Sequence, residues 1–151
     1  MELKEITKEA ATIGMDATFE EAIKKMVNEK ANALVVIDED GEFAGEVHVS
    51  DLFEAIVPEY MDGDSVIEYF DSEKKFINAV QDASVKPVSE FMSVNIEPIR
   101  ITDPIMTVAS NAIAYQHSRI PVVDHENRPI GVISRQGLKK ILANFLHIKT
   151  K

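Results

Sequence analysis

The sequence predicts an α/β fold made of two β-α-β-β-α repeats with a short helical insert between them. Three observations lead there. With Gly45 laid on Gly131, the chain aligns with itself from Thr12 to Ile56 without a gap, the sign of a duplication. Each copy holds a near-continuous apolar run, Leu34 to Ile37 or Ile120 to Val123, of the kind a strand buried on both faces carries. Each copy also holds apolar residues at helical spacing on both sides of that run.

The elements follow in order. A short strand opens each copy, "TIGM" in the first and "EPIRI" in the second, with Ile13 and Met15 aligned on Ile99 and Ile101. The first helix starts at "TFEE", where Thr18 can cap and Glu21 stands at the third helical position, a capping box. Its counterpart is Asp103 followed by Pro104, a capper ahead of a first-turn proline. Phe19, Ala22, Ile23, Met26 and Val27 fall on one face of the first helix. After the buried strand, "DEDGE" or "DHENR" forms a turn, and a second strand is expected to begin at the aligned glycine. A closing helix begins near Asp51 or Gly137. In that helix Leu138, Ile141, Leu142, Phe145 and Leu146 offer more apolar surface than one small core absorbs, so a homodimer is expected. The predicted bounds are 1–56 for the first repeat, 57–87 for the insert and 88–151 for the second repeat. Between Glu59 and Glu73 the insert has six acidic residues and no basic ones. Its Phe70, Phe76, Ile77 and Val80 suggest short amphipathic helices rather than a loose linker.

Composition narrows the function classes. With 45% hydrophobic and 28% charged residues the chain is globular rather than disordered. A formal charge of −10 argues against nucleic acid, whose phosphates need clustered Lys and Arg. No apolar run approaches the roughly 20 residues of a membrane span, and "MELKEITKEA" lacks a signal-peptide core. Zero cysteines leave no disulfide or thiolate metal site, which fits a cytoplasmic protein. His48, His117, His125 and His147 show no metal-ligand spacing, and "DEDG" lacks the closing glutamate of a calcium loop. The sequence holds no nucleophile elbow, phosphate-binding loop or dinucleotide turn, so neither an enzyme nor a metal site is expected.

The pattern "RIPVVD", a turn, then "GVIS" and a helix resembles the CBS domain, named for cystathionine β-synthase. Two in tandem resemble a Bateman module. The resemblance runs from about Leu3 to Ile56 and from Val88 to Leu146; the first copy departs from it at Val35, where proline is usual. It implies two repeats related by a pseudo-twofold axis, binding an adenosine ligand (AMP, ADP, ATP or S-adenosylmethionine) in clefts between the copies. It further implies a regulatory module without its own output domain, signalling to a partner protein and pairing with a second copy as a flat disc. The ribose-binding aspartate of the family corresponds to Asp51 and is replaced by Gly137 in the second copy. The hydroxyl of the loop before it corresponds to Ser134, and to His48 in the first copy.

The candidate ligand contacts are therefore Asp51, Ser50, His48, Ala33 and Ile13 in the first half. In the second they are Ser134, Arg135, Arg119, Ile120, Pro121 and Ile101. A carboxylate can accept hydrogen bonds from both ribose hydroxyls, as glycine cannot. Arg119 and Arg135 can add charge-assisted contacts to phosphate, and the apolar members, with Val49, can line an adenine slot. Plainer readings stand beside these: Asp51 as the N-cap of "DLFE", Ser134 as the cap of the last helix, His48 as a half-exposed strand residue, and Arg119 in a surface ion pair. A duplicated module that binds no ligand and serves only association is the alternative from another class.

Overall fold

The computed structural model describes residues 1–58, 61–115 and 119–149. A 3-10 turn at Leu3–Glu5 precedes strands β1 (Thr7–Lys8) and β2 (Thr12–Gly14), helix α1 (Phe19–Glu29), strands β3 (Ala33–Ile37) and β4 (Phe43–His48), and helix α2 (Val49–Glu54). The middle segment holds α3 (Gly63–Tyr69), α4 (Glu73–Ala83) and the short α5 (Val88–Phe91). Then come β5 (Ile99–Arg100), α6 (Ile105–Tyr115), β6 (Ile120–Val123), β7 (Pro129–Ile133) and α7 (Arg135–Phe145). The expected α/β order appears twice, with helices in the insert. Of the residues named above, Glu59 and His117 lie outside the described residues.

The chain divides into two compact units that are not continuous in sequence. The first gathers Ala11–Glu39 and Ala44–Val94; the second gathers Met1–Ala10, Asp40–Phe43 and Asn95–Lys151.

In the first unit the sheet order is β2-β3-β4, and β2 runs parallel to β3 with Ile13 opposite Val36. Leu34, Val35 and Val36 are fully buried, as expected of an uninterrupted apolar strand. The Thr18 hydroxyl accepts from the Glu21 amide at 3.2 Å, fixing the start of α1. Phe19, Ala22 and Met26 point into the core, whereas Val27 is 69% exposed. At about 100° per residue, the position after Met26 turns away from the sheet, so the apolar face is narrower than expected. Ala83 of α4 is buried in the same core and Val80 packs on it, while α3 has no buried residue. The insert instead builds an aromatic cluster of its own, with Phe70 edge-on to both Tyr69 and Phe76.

A crossing segment completes this unit. The amides of Val88 and Ser89 donate to the carbonyls of Ala17 (2.7 Å) and Met15 (3.1 Å). Further on, Ser93 and Glu46 exchange a pair of backbone hydrogen bonds at 2.8 and 3.0 Å. Gly45 permits that approach, since a Cβ there would fall on the Ser93 carbonyl.

In the second unit the sheet order is β1-β7-β6-β5. β1 joins β7 antiparallel, with Thr7 opposite Ile133, and β5 joins β6 parallel, with Ile99 opposite Val122. Leu3, Ile6, Ile99, Val108, Ile120, Val122 and Ile133 form the core. Gly131, the counterpart of Gly45, again faces a crossing backbone, that of Lys8. Both second strands begin before the aligned glycine, at Phe43 and Pro129. Asp103 does not cap α6: the helix starts at Ile105, and the carboxylate accepts from the Arg100 amide at 2.9 Å within the preceding turn. Leu138 and Ile141 pack on the core, while Leu142, Phe145 and Leu146 face outward. Among the described residues, no helix is long and apolar enough to cross a membrane.

Candidate functional site

The strongest concentration of buried polar groups lies where β4 turns into α2. Glu46 is 1% exposed, and Asp51 is 9% exposed. The closing helix begins at Val49 rather than at Asp51, and His48 holds the N-cap position. Asp51 therefore stands at the third helical position, and its Oδ2 accepts from the His48 amide at 2.8 Å. This corrects the reading of Asp51 as the N-cap of "DLFE": the carboxylate reaches back to the cap residue instead. His48 is half-buried at the strand end, with Nδ1 3.3 Å from Asp51 Oδ2 and Nε2 3.9 Å from Glu46 Oε2. Ser93, from the crossing segment, directs its hydroxyl at both Asp51 oxygens, 3.0 Å from Oδ1 and 3.1 Å from Oδ2.

Burial pushes the Asp51 carboxyl up, but the hydrogen bonds from the His48 ring, the His48 amide and the Ser93 hydroxyl outweigh it. With the charge of His48, they hold the carboxyl below its ordinary value. A depressed folded-state value means that ionised Asp51 stabilises the fold above its unfolded-state value of about 3.9. That contribution is lost as the pH falls through the folded-state value. Acid unfolding of Asp51→Asn is accordingly expected to show a shallower pH dependence below about pH 4 than the parent, measured by urea denaturation at stepped pH. Superimposable pH dependences would contradict this account of Asp51.

A cavity of about 480 Å³ opens beside Asp51 within the first unit. Val57, Pro58, Met61, Phe91 and Met92 supply apolar wall, while Glu54, Glu90 and Lys86 add charge; the Lys86 ammonium also donates to the Ala55 carbonyl at 2.9 Å. Its volume is in the range of small-molecule sites. Of the other first-half candidates, Ser50 is exposed on α2, and Ile13 and Ala33 are buried in the strands. The structure thus brings Asp51 and His48 into contact, while Ile13 and Ala33 belong to the sheet behind them.

The second unit repeats the frame with different contents. Ser134 occupies the N-cap position of α7 but makes no side-chain capping bond, and Gly137 stands at the third helical position, matching Asp51. The glycine has no left-handed backbone; what it lacks is room. A Cβ there would lie 2.9 Å from the Ile6 carbonyl oxygen and 3.0 Å from Ile133 Cγ2. Arg135 is exposed, Arg119 and Ile101 are half-buried, and Ile120 and Pro121 are buried in β6. In this unit the crossing segment closes on the helix, whereas in the first unit a cavity lies at the matching place.

Sequence reading missed Ser93 and Glu46. A signal for Ser93 existed: at the repeat offset it aligns with Thr7, a hydroxyl in both crossing segments. Glu46 gave none, because alternation along "EVHVS" places it beside His48 on the outward face.

Residues 3–58 and 88–144 both match the family model of the CBS domain. The chain belongs to the CBS-domain family and carries two copies of the domain. A search of curated proteins found no match. Solved structures support the fold. A CBS domain-containing protein of unknown function from Kribbella flavida superposes with a TM-score of 0.75 at 20% identity, covering 95% of this chain and 98% of that one. The CBS-pair protein CBSX2 from Arabidopsis thaliana gives 0.72 at 16% identity, covering 98% of each chain. A structure of CBSX2 in complex with AMP gives 0.68 at 17% identity, covering 95% and 97%.

Proposed function

We propose that the protein is a regulatory module that binds an adenine nucleotide at Asp51 and passes the binding state to a partner protein. The observation that carries this is the buried Asp51 carboxylate, oriented by three donors and opening on a cavity of ligand size. Burying a carboxylate is costly unless it is hydrogen-bonded, and an oriented carboxylate can accept from a ribose hydroxyl. That CBSX2 has been solved with AMP supports the ligand class. The role is sensing rather than catalysis: the Ser93 hydroxyl donates to the Asp51 carboxylate and not to the His48 ring, so no base activates it as a nucleophile. The working module is cytoplasmic, and its ligand requires no metal.

Thermal unfolding in the presence of AMP, ADP, ATP, GMP and S-adenosylmethionine tests this directly. A ligand that binds only the native state adds RT ln(1 + [L]/Kd), about 2.7 kcal/mol at a hundredfold excess over Kd. An adenine nucleotide is expected to raise the midpoint more than GMP does; no shift with any of them would leave the module without a ligand.

Self-association is the second part of the reading. Val27 and its repeat counterpart Ile113 are 69% and 77% exposed, and Leu142 and Phe145 of α7, with Leu146 at its C-cap, face outward. Apolar patches of this kind mark interaction surfaces. A homodimer is expected by light scattering at tens of micromolar, and Leu142→Glu should shift it toward monomer. A parent protein that is monomeric at that concentration removes this part.

A further inference from the structure

We propose that Ser93 is a specificity-determining residue of the ligand site: with Asp51 it forms a two-point acceptor for adjacent hydroxyls. The inference rests on the nucleotide reading above and adds a residue that the chain supplies from its crossing segment, far from Asp51 in sequence. Its basis is a count of donors. Asp51 Oδ2 already faces the His48 amide at 2.8 Å, His48 Nδ1 at 3.3 Å and the Ser93 hydroxyl at 3.1 Å. Oδ1 faces only the Ser93 hydroxyl, at 3.0 Å, among the described hydrogen bonds. A carboxylate oxygen offers two lone-pair directions, so Oδ2 is filled and Oδ1 has one direction left. Asp51 alone therefore takes one hydroxyl, not two.

The second acceptor is Ser93 Oγ. Its single hydrogen is committed to Asp51, which leaves the oxygen's lone pairs able to accept, and Ser93 follows directly on Phe91 and Met92 of the cavity wall. Oδ1 and Oγ are 3.0 Å apart, a spacing that two neighbouring hydroxyls of one sugar can address together. The backbone holds Ser93 there, through its paired hydrogen bonds with Glu46. The second unit provides the contrast. There Gly137 stands at the position of Asp51, and the hydroxyl of Thr7, the repeat counterpart of Ser93, donates to the Leu3 carbonyl at 2.7 Å. The hydroxyl in the crossing segment turns to the helix only where a carboxylate receives it.

The test is calorimetric titration of the whole chain with AMP and 2′-deoxy-AMP, for the parent, Ser93→Ala and Ser93→Thr. The parent is expected to prefer AMP, and Ser93→Ala to bind AMP roughly tenfold more weakly, the scale of one hydrogen bond. Ser93→Ala should also lose most of the preference over the deoxy ligand, and Ser93→Thr, which keeps the hydroxyl, should retain it. Ser93→Ala with parental affinity and parental preference overturns the proposal while leaving nucleotide binding intact. If the parent binds neither ligand, the nucleotide reading falls. The Ser93–Asp51 contact is then judged without ligand, by following the Asp51 carboxyl with carbon-13 NMR across acid pH. The carboxyl is expected to titrate higher in Ser93→Ala than in the parent; an unchanged titration overturns the contact as well.

Discussion

Gly137→Asp is expected to destabilise the protein by roughly 3 kcal/mol or more, and to create no second ligand site. The substitution restores the carboxylate that the first repeat carries at the same helical position. On backbone angles alone it is permitted, since Gly137 is not left-handed. Space forbids it. The new Cβ would stand 2.9 Å from the Ile6 carbonyl oxygen, a backbone atom that cannot swing aside as a side-chain tip can. The carboxylate beyond it would enter a buried position next to an oxygen that repels it, and Ser134 at the N-cap offers no imidazole of the kind His48 sets against Asp51. Gly137→Ala meets the same Cβ contact without the charge and is expected to cost about 1–3 kcal/mol. Urea denaturation of both variants measures this. Parental stability for Gly137→Asp would mean that the crossing segment yields, and the account of the asymmetry would be wrong.

Asp51→Asn should weaken AMP binding by about 1.5–3 kcal/mol, roughly ten- to a hundredfold in Kd. It should also cost about 1–3 kcal/mol of folding stability. Serine, which substitutes well at an N-cap, is the wrong probe here, because at the third helical position the side chain must reach back to the His48 amide. Asparagine keeps the shape and one carbonyl oxygen. It replaces the other oxygen with an amino group that cannot accept, so the His48 and Ser93 donors compete for what is left. Calorimetry with AMP and urea denaturation together separate the two effects. If the variant binds AMP as tightly as the parent while losing stability, Asp51 is a structural carboxylate and the ligand lies elsewhere.

The fold was legible in the sequence because its signals are local and doubled. The run Leu34 to Ile37, the Thr18 cap and the alignment of Gly45 with Gly131 each constrain a short segment. What escaped depends on which segment packs beside which. Nothing near Gly137 announces that Ile6 crosses it, so a replacement that looks like a lost function is also a steric requirement. Ser93 lies 42 positions from Asp51; the repeat pairs it with Thr7, but neither segment announces that its hydroxyl meets a carboxylate on α2. Val27 satisfied the helical pattern yet faces outward, because the pattern reports an apolar stripe and not how much of it the sheet covers. Asp103 had the right residue type for a cap, but its carboxylate was taken by the turn before the helix.

The interleaving of the two units also sets a timetable for synthesis. A ribosome delivers the chain from its N-terminus at about 5–20 residues per second. The first unit lacks its crossing segment until Val94 has emerged, although most of its strands appear well before. The second unit takes in Met1–Ala10, so strand β1 must wait for β7, whose Ile133 pairs with Thr7. During that interval the nascent chain carries an unclaimed N-terminal strand, with Leu3 and Ile6 still outside the core they will join. The half with the Asp51 cavity therefore has all of its segments delivered by Val94, while its twin still lacks most of its own.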